Sequence, residues 1–544
     1  MRPRGFLTIL AAVIALGLAA VPAMAATAPT SLDVVLPGSF AGCTVLNNAT
    51  SPALASLLDL VRPSAFITDT SGDLVGAGGP IDQAELVSLQ PQTVVYGLNT
   101  SFKWSNGQQF NTDDLLSWYE KARVVPSSAT DGYRLIKTIV ANKQKNAITV
   151  VFKQSFADWN LLFRDVEERS TPTNCSLSSL VGQPSLGPYR LLSLTSTTAQ
   201  LGSNLAWPGA SFEFPKLTIT TNQTLTTKNT GLVARYASNV SPSYLASLNS
   251  SGSLASHIGV SDQLALVGFS PLRTLTKSLL IREALALSLN RQAILDQEWG
   301  SLTYGAGVAS SILYSQGQSH YPGSTNVSPY NQSTTTTSQP ATLSQVSANT
   351  DCPTCAIIAL KKEGFAKKGN AWVRSGTALS LRLVTTKSSV NNVTANIIIH
   401  QWASFGIPVY ETYVATNQAV ANALALGTAD VGVYTKTSAV EPGSNARSWT
   451  GHNYFDSVDL GWRSKTVDQL YTKGLATFNP VTATNTWYEL DDTILNNYWA
   501  RPLFTAPAII SYSNDLATVY GSTSLNGFID QVPNWRYQIP QTSP

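Results

Sequence analysis

Adjacent carboxylates at Asp113 and Asp114, a Cys-x-x-Cys at Cys352 and Cys355, and four histidines are the groups whose types and spacing invite a chemical reading. A carboxylate pair can divide acid and base roles, but these two sit at the start of a helical pattern. Asn111 can cap that helix with Asp114 as its capping-box partner three residues on. Both acids also complement the positive end of the helix dipole. Capping therefore accounts for the pair without catalysis. His257, His320, His400 and His452 occur singly, with no H-x-x-x-H or similar metal spacing. Neither G-x-S-x-G nor H-E-x-x-H is present, and no Ser/His/Asp grouping stands at motif spacing.

The cysteines read structurally. Four of them, Cys43, Cys175, Cys352 and Cys355, allow three pairings in an oxidising compartment. The local Cys352–Cys355 bridge is the economical choice and leaves Cys43 with Cys175. A zinc site would need further ligands, and no second C-x-x-C or nearby histidine supplies them.

The compartment itself is predicted by the first 25 residues. Arg2 and Arg4 precede an apolar run, Phe6 to Val21, and Ala23-Met24-Ala25 gives a small-residue cleavage pattern. Residues 1–25 are thus expected to be a signal peptide and the remainder to be exported, either periplasmic or at the cell surface and beyond. No later stretch approaches the roughly 20 apolar residues of a spanning helix. The 35 Lys and Arg against 32 Asp and Glu give +3, which falls to +1 without Arg2 and Arg4. So even a balance offers no electrostatic footprint for nucleic acid or an anionic membrane. With 43% apolar residues over 544 positions, the chain can bury more than one core.

Elements follow from periodicity. The stretch 93–104 is β-branched and aromatic and reads as a strand; Ser105-Asn106-Gly107 is a turn. Leu115, Leu116, Tyr119 and Ala122 then form one apolar helical face. "KNAITVVFKQ" reads as a strand, "FADWNLLFRDVEER" as a helix, and "YRLLSLT" as another strand. "QLALVGFS" is a buried strand ending before Pro271. "SLLIREALALSLNRQAILDQEWG" holds two helices, the second capped by Asn290, and residues 321–350 read as a surface loop. Beyond it strands and helices alternate ("ALSLRLVTT", "NNVTANIIIHQWASF", "IPVYETYV", "NQAVANALAL", "ADVGVY"), which implies crossover units and a largely parallel sheet. A helix around "TWYELDDTILNNYW" and the extended "RPLFTAPAIISYS" close the pattern.

Several of these landmarks, in order, resemble the family 5 extracellular solute-binding proteins, the dipeptide and oligopeptide receptors of ABC importers. They are "FKWSNGQQFNTDDLLSWYEKAR", "QPSLGPYRLL", "LIREALALSLNRQAIL" and "WASFGIPVY". The resemblance runs from about Leu57 to Trp535. It implies an α/β, two-lobed periplasmic-binding-protein-like fold (type II, cluster C-like) with an extra subdomain in the first lobe. Lobe I would span 26–270, its outer subdomain about 60–184; lobe II would span 271–500, and 501–544 would return to complete lobe I. The implied partners are a peptide or other small solute and the permease subunits of an importer. No cofactor, enzymatic activity, nucleic acid or membrane insertion is implied, and a monomer is expected.

A ligand cleft should be lined by apolar and aromatic groups with a few polar anchors. Such residues gather after the strand 429–434, where open α/β sheets carry their ligand loops. Tyr434, Ser438, Glu441, Asn453 and Tyr454 are therefore the expected ligand contacts. The resemblance places at Ser438 the acid that pairs with a peptide's α-amine, and serine cannot neutralise a buried ammonium. Glu441 or Asp456 could substitute from a shifted position. Two other classes compete with a receptor: a secreted hydrolase whose active site is assembled from distant residues, and a cell-surface structural protein suggested by the Ser and Thr content.

Overall fold

The computed structural model describes residues 29–46, 50–69, 73–125, 130–172, 175–208, 212–221, 231–238, 243, 246–247, 254–300, 307–322, 351–451, 459–519 and 524–538. The expected signal peptide and residues 323–350 of the expected loop lie outside them.

Apolar side chains collect into three cores. The first surrounds Leu32, Leu54, Ile219 and Phe528; an outer one surrounds Tyr96, Trp104, Trp118 and Phe163. The second lobe's core, the largest of the three, surrounds Leu266, Leu285, Ile398 and Trp402. One ten-stranded sheet runs through the first and the largest. Its order is Val409–Val414, Leu381–Thr386, Val431–Thr437, Leu254–Phe269, Ala500–Ser513, Val233–Ser238, Ser31–Leu36, Lys216–Thr221, Thr198–Ser203 and Tyr189–Leu194.

The two central strands are also the longest, and they pair antiparallel from Leu254↔Ser513 to Gly268↔Ala500. They carry the chain from one core to the other and back. Their ladder breaks between Val260 and Leu264, opposite Thr505 to Pro507. Pro507 has no N–H to give to a ladder, so regular pairing is interrupted there. The sheet is consequently mixed, a correction to the largely parallel expectation. Parallel pairing holds where crossover helices join strands (Leu381–Thr386 to Val409–Val414 and to Val431–Thr437), whereas the central strands run antiparallel to their neighbours.

Local signals shape the second lobe as the sequence predicts. Asn290 accepts the Ala293 N–H at 2.9 Å and starts Arg291–Trp299. Helix Ser389–Phe405 ends at Gly406, whose φ of +96° a residue with a Cβ rarely adopts.

The outer core lies under a four-stranded antiparallel sheet, ordered Ile81–Leu89, Gln92–Leu98, Ala147–Phe152 and Ile136–Asn142. The strand expected over 93–104 stops at Leu98. Helix Thr112–Ala122 carries the expected capping box: Asn111 accepts the Asp113 N–H at 2.9 Å, and Asp114 accepts the Asn111 N–H at 3.1 Å. Asp114 also accepts the Trp104 indole N–H at 3.2 Å, so its buried carboxylate ties turn to helix. The inward face uses Leu115, Trp118 and Ala122, leaving Leu116 and Tyr119 half-buried.

The helix expected over 156–169 is replaced by a short 3-10 turn, Ala157–Leu161, and an irregular loop. Phe163 and Asp165 take φ of +56° and +50°, which no helix continues through. Phe156, Leu162, Phe163 and Val166 are all buried, so this segment enters the core from several sides rather than along one helical stripe.

Among the described residues, no helix is long and apolar enough to cross a membrane. Two disulfides are present, Cys43–Cys175 and Cys352–Cys355, with Cα separations of 5.9 and 5.2 Å.

Candidate functional site

A cleft of about 1880 Å³ separates the second lobe from the first core and its outer sheet. Its floor is the irregular part of the central strands. There the Ser261 hydroxyl donates to the Ala506 carbonyl at 2.7 Å, and the Ser438 N–H donates to the Asp262 carbonyl at 2.7 Å. Gln263 donates from its amide to the Asp262 carboxylate at 2.8 Å and to the Thr437 hydroxyl at 2.9 Å.

The second-lobe wall is the segment leaving strand Val431–Thr437. Asn445 holds it in shape, accepting the Ala439 N–H at 2.9 Å and donating to the carbonyls of Ala439 (2.8 Å) and Leu313 (2.9 Å). Gln318 donates to the Val440 carbonyl at 2.7 Å. Pro442 then opens the short helix Pro442–Arg447, with Glu441 at its N-cap and lining the cleft.

The opposite wall is the irregular loop of the outer subdomain. Gln92 clamps it on both sides of one residue, donating to the Phe156 carbonyl (2.8 Å) and accepting the Phe156 N–H (2.6 Å). Tyr96 donates to the Trp159 carbonyl at 2.9 Å, and the Tyr133 hydroxyl accepts the Phe163 N–H at 2.6 Å. So pinned, the loop presents Asp158 and Asn160 to the second lobe. The Asn160 amide donates to Glu441 Oε1 across the cleft at 2.8 Å. The Asp158 carboxylate lies against Gly443 so closely that a Cβ there would overlap it.

Of the residues singled out from sequence, Ser438 and Glu441 line the cleft. Tyr434 does not, and this is a correction. Its strand is central and buried on both faces, so the ring packs in the second lobe's core beside Gly268, with no exposed surface. Asn453, Tyr454 and Asp456 lie outside the described residues, as does His452. Sequence reasoning missed Asp158 and Asn160, because the segment holding them read as an amphipathic helix. Its run of aromatic residues flanking single polar ones was the available signal. Among the described residues, no three His, Cys, Asp or Glu side chains are grouped to hold a metal ion.

Several buried acids hold their protons above the usual carboxylate range. Burial and the nearby Glu441 charge push Asp158 up to about 8. Burial drives Glu298 up to about 8 against a hydrogen bond from Thr394, and burial with the nearby Asp492 charge pushes Asp491 up to about 7. An acid whose pKa is higher when folded holds its proton more tightly in the folded state. The stability it contributes is complete below the unfolded pKa near 4 and is lost as pH rises through the folded value. The melting temperature should therefore fall between pH 5 and pH 8.5. Calorimetry at both values checks this, and Glu298→Gln, remote from the cleft, should flatten the slope.

Comparison with known proteins adds kinship. A family model described as "Bacterial extracellular solute-binding proteins, family 5 Middle" matches residues 84–457. The Oligopeptide-binding protein OppA of Mycobacterium tuberculosis (strain ATCC 25618 / H37Rv) is 26% identical over 179 residues, 30% of this chain and 29% of OppA. The matched region thus spans less than a third of that relative. Among solved structures, the Periplasmic EDTA-binding protein EppA superposes with a TM-score of 0.78 at 16% identity, covering 94% of this chain and 96% of EppA. The oligopeptide-binding protein AppA from Bacillus subtilis, in complex with a nonapeptide, gives 0.69 at 13% identity over 94% and 99% of the two chains. Likeness over nearly the whole length places the two-lobed fold.

Proposed function

The chain belongs to the bacterial extracellular solute-binding proteins, family 5, and from that premise we propose that it captures a peptide or other small solute outside the cytoplasm and delivers it to an ABC importer. The observation that carries this reading is the cleft of about 1880 Å³ floored by two antiparallel strands. Two strand crossings let rigid halves hinge while restricting their relative twist, which is the mechanics of ligand enclosure. The break in the ladder at Val260 and Leu264 is where such a hinge would bend.

In this reading residues 26–270 with 501–544 form the first lobe and 271–500 the second, with 60–184 as the outer subdomain. Ser438 and Glu441 are ligand contacts on the second lobe, and Asp158 and Asn160 face them from the first. Of the relatives compared, AppA holds a nonapeptide and EppA is named for binding EDTA. A peptide is favoured here because the cleft's volume of about 1880 Å³ exceeds the roughly 300–1,000 Å³ of a pocket for a drug-sized ligand.

Native mass spectrometry of the mature protein, after incubation with a tryptic digest of casein and gel filtration, tests the proposal. The expected result is a one-to-one complex whose guest is released unaltered on denaturation. Cleavage of the guest on a turnover timescale would favour a hydrolase instead.

A further inference from the structure

The Cys352–Cys355 bridge does not line the cleft. It links residues three apart in sequence, whereas Cys43–Cys175 spans 132. In the chain-entropy account a crosslink stabilises by restricting the unfolded chain, and least when the loop it closes is short. The folded turn is also held without it, because the Ala356 N–H donates to the Cys352 carbonyl at 3.0 Å. Cys352 is the N-cap of helix Pro353–Lys362. Its Sγ accepts the Cys355 N–H at 3.2 Å and lies 3.4 Å from the Thr354 hydroxyl. Once the bridge opens, those donors and the positive end of the helix dipole favour a thiolate at Cys352. Asp351, next in sequence, is paired with Arg291 and Arg501, which limits its repulsion of that thiolate. The two sulfurs also differ in access. Cys352 is half-buried beside exposed Pro353 and Thr354, whereas Cys355 is 1% exposed in the second lobe's core.

Independently of the solute-receptor reading, we propose that Cys352–Cys355 is a thiol–disulfide exchange site for low-molecular-weight thiols, with Cys352 the attacked sulfur and Cys355 the resolving one. In the reductive direction a thiolate, RS⁻, attacks Cys352 Sγ. The S–S bond breaks and its electron pair stays on Cys355 Sγ, which takes up the proton the thiol lost. A mixed disulfide between R–S and Cys352 remains. A second thiolate attacks the R sulfur of that intermediate, releasing RSSR and leaving Cys352 as the thiolate that the helix end stabilises. Overall, two RSH give RSSR, and the bridge gains two electrons and two protons. Oxidation by RSSR runs the same steps backwards, with Cys355 displacing RS⁻ from the mixed disulfide. Burial of Cys355 shields it from RS⁻, so the reaction has one point of entry.

The test holds folded wild-type protein in excess reduced glutathione, blocks free thiols with N-ethylmaleimide at intervals, and maps the labels by peptide mass spectrometry. Cys352–Cys355 should open roughly tenfold or more faster than Cys43–Cys175. Cys355→Ser, whose Cys352 has no resolving partner, should gain one glutathione on Cys352 from glutathione disulfide. Cys352→Ser should gain it on Cys355 roughly tenfold more slowly or not at all. A bridge that stays closed in the folded protein, or opens no faster than Cys43–Cys175, would overturn the proposal and leave the bridge purely structural. Equal modification of the two variants would overturn the division between attacked and resolving sulfur. The wild-type measurement needs no substitution, so a variant that fails to fold leaves the proposal falsifiable.

Discussion

Asp351→Ala is expected to lower stability by about 3–5 kcal/mol, the range for stripping a partner from buried charge. Asp351 accepts from Arg291 Nε at 2.8 Å and from Arg501 Nη2 at 2.7 Å through one oxygen. Its other oxygen takes the Arg291 N–H at 2.8 Å. Both guanidinium side chains are 1% exposed. Arg501 is already strained electrostatically: burial, then the charge of Arg291, holds its pKa down to about 9. Without Asp351 two buried cations would face each other where the return strand leaves the second lobe. Arg291 also donates to the Ala309 and Pro502 carbonyls, so its side chain cannot simply swing to water. The second-lobe melting transition should drop by about 10 °C, read by calorimetry. Asp351→Asn keeps the acceptor and should lose less.

The second large effect falls on binding. Gly443→Val places a side chain where the Asp158 carboxylate sits when the walls meet. Closure is then blocked by sterics, while the cores and the central strands are untouched. If the closed, binding-competent state falls to about a hundredth of its population, apparent affinity falls about a hundredfold. Retention of the casein digest should be lost at concentrations where the wild type saturates, with the melting temperature of the empty protein unchanged. Retention at wild-type levels would mean that the walls close elsewhere.

Some of this was legible in the sequence because the determinants are local. Asn111, Asp114 and Asn290 act within one helical turn, so spacing alone revealed their roles. The alternation of strands and helices beyond residue 378 likewise fixed the parallel part of the sheet. What failed depended on distant partners. The 156–169 segment has helical spacing, but Gln92 and Tyr96 of strand Gln92–Leu98 and Tyr133 of the helical turn Asp131–Arg134 capture its backbone and override that preference. Asp158 was hidden for the same reason. Tyr434 misled because composition identified the correct strand end but could not say that the strand is buried on both faces. The sheet's mixed character needed knowledge that two strands 246 residues apart, from Leu254 and Ala500, would pair.

Small-angle scattering of the protein with and without the casein digest addresses hinged enclosure most directly. Two halves that shut over a guest predict a smaller radius of gyration in the presence of bound peptide for wild type, and no contraction for Gly443→Val. An unchanged curve from wild-type protein that mass spectrometry shows to be fully loaded would contradict the account.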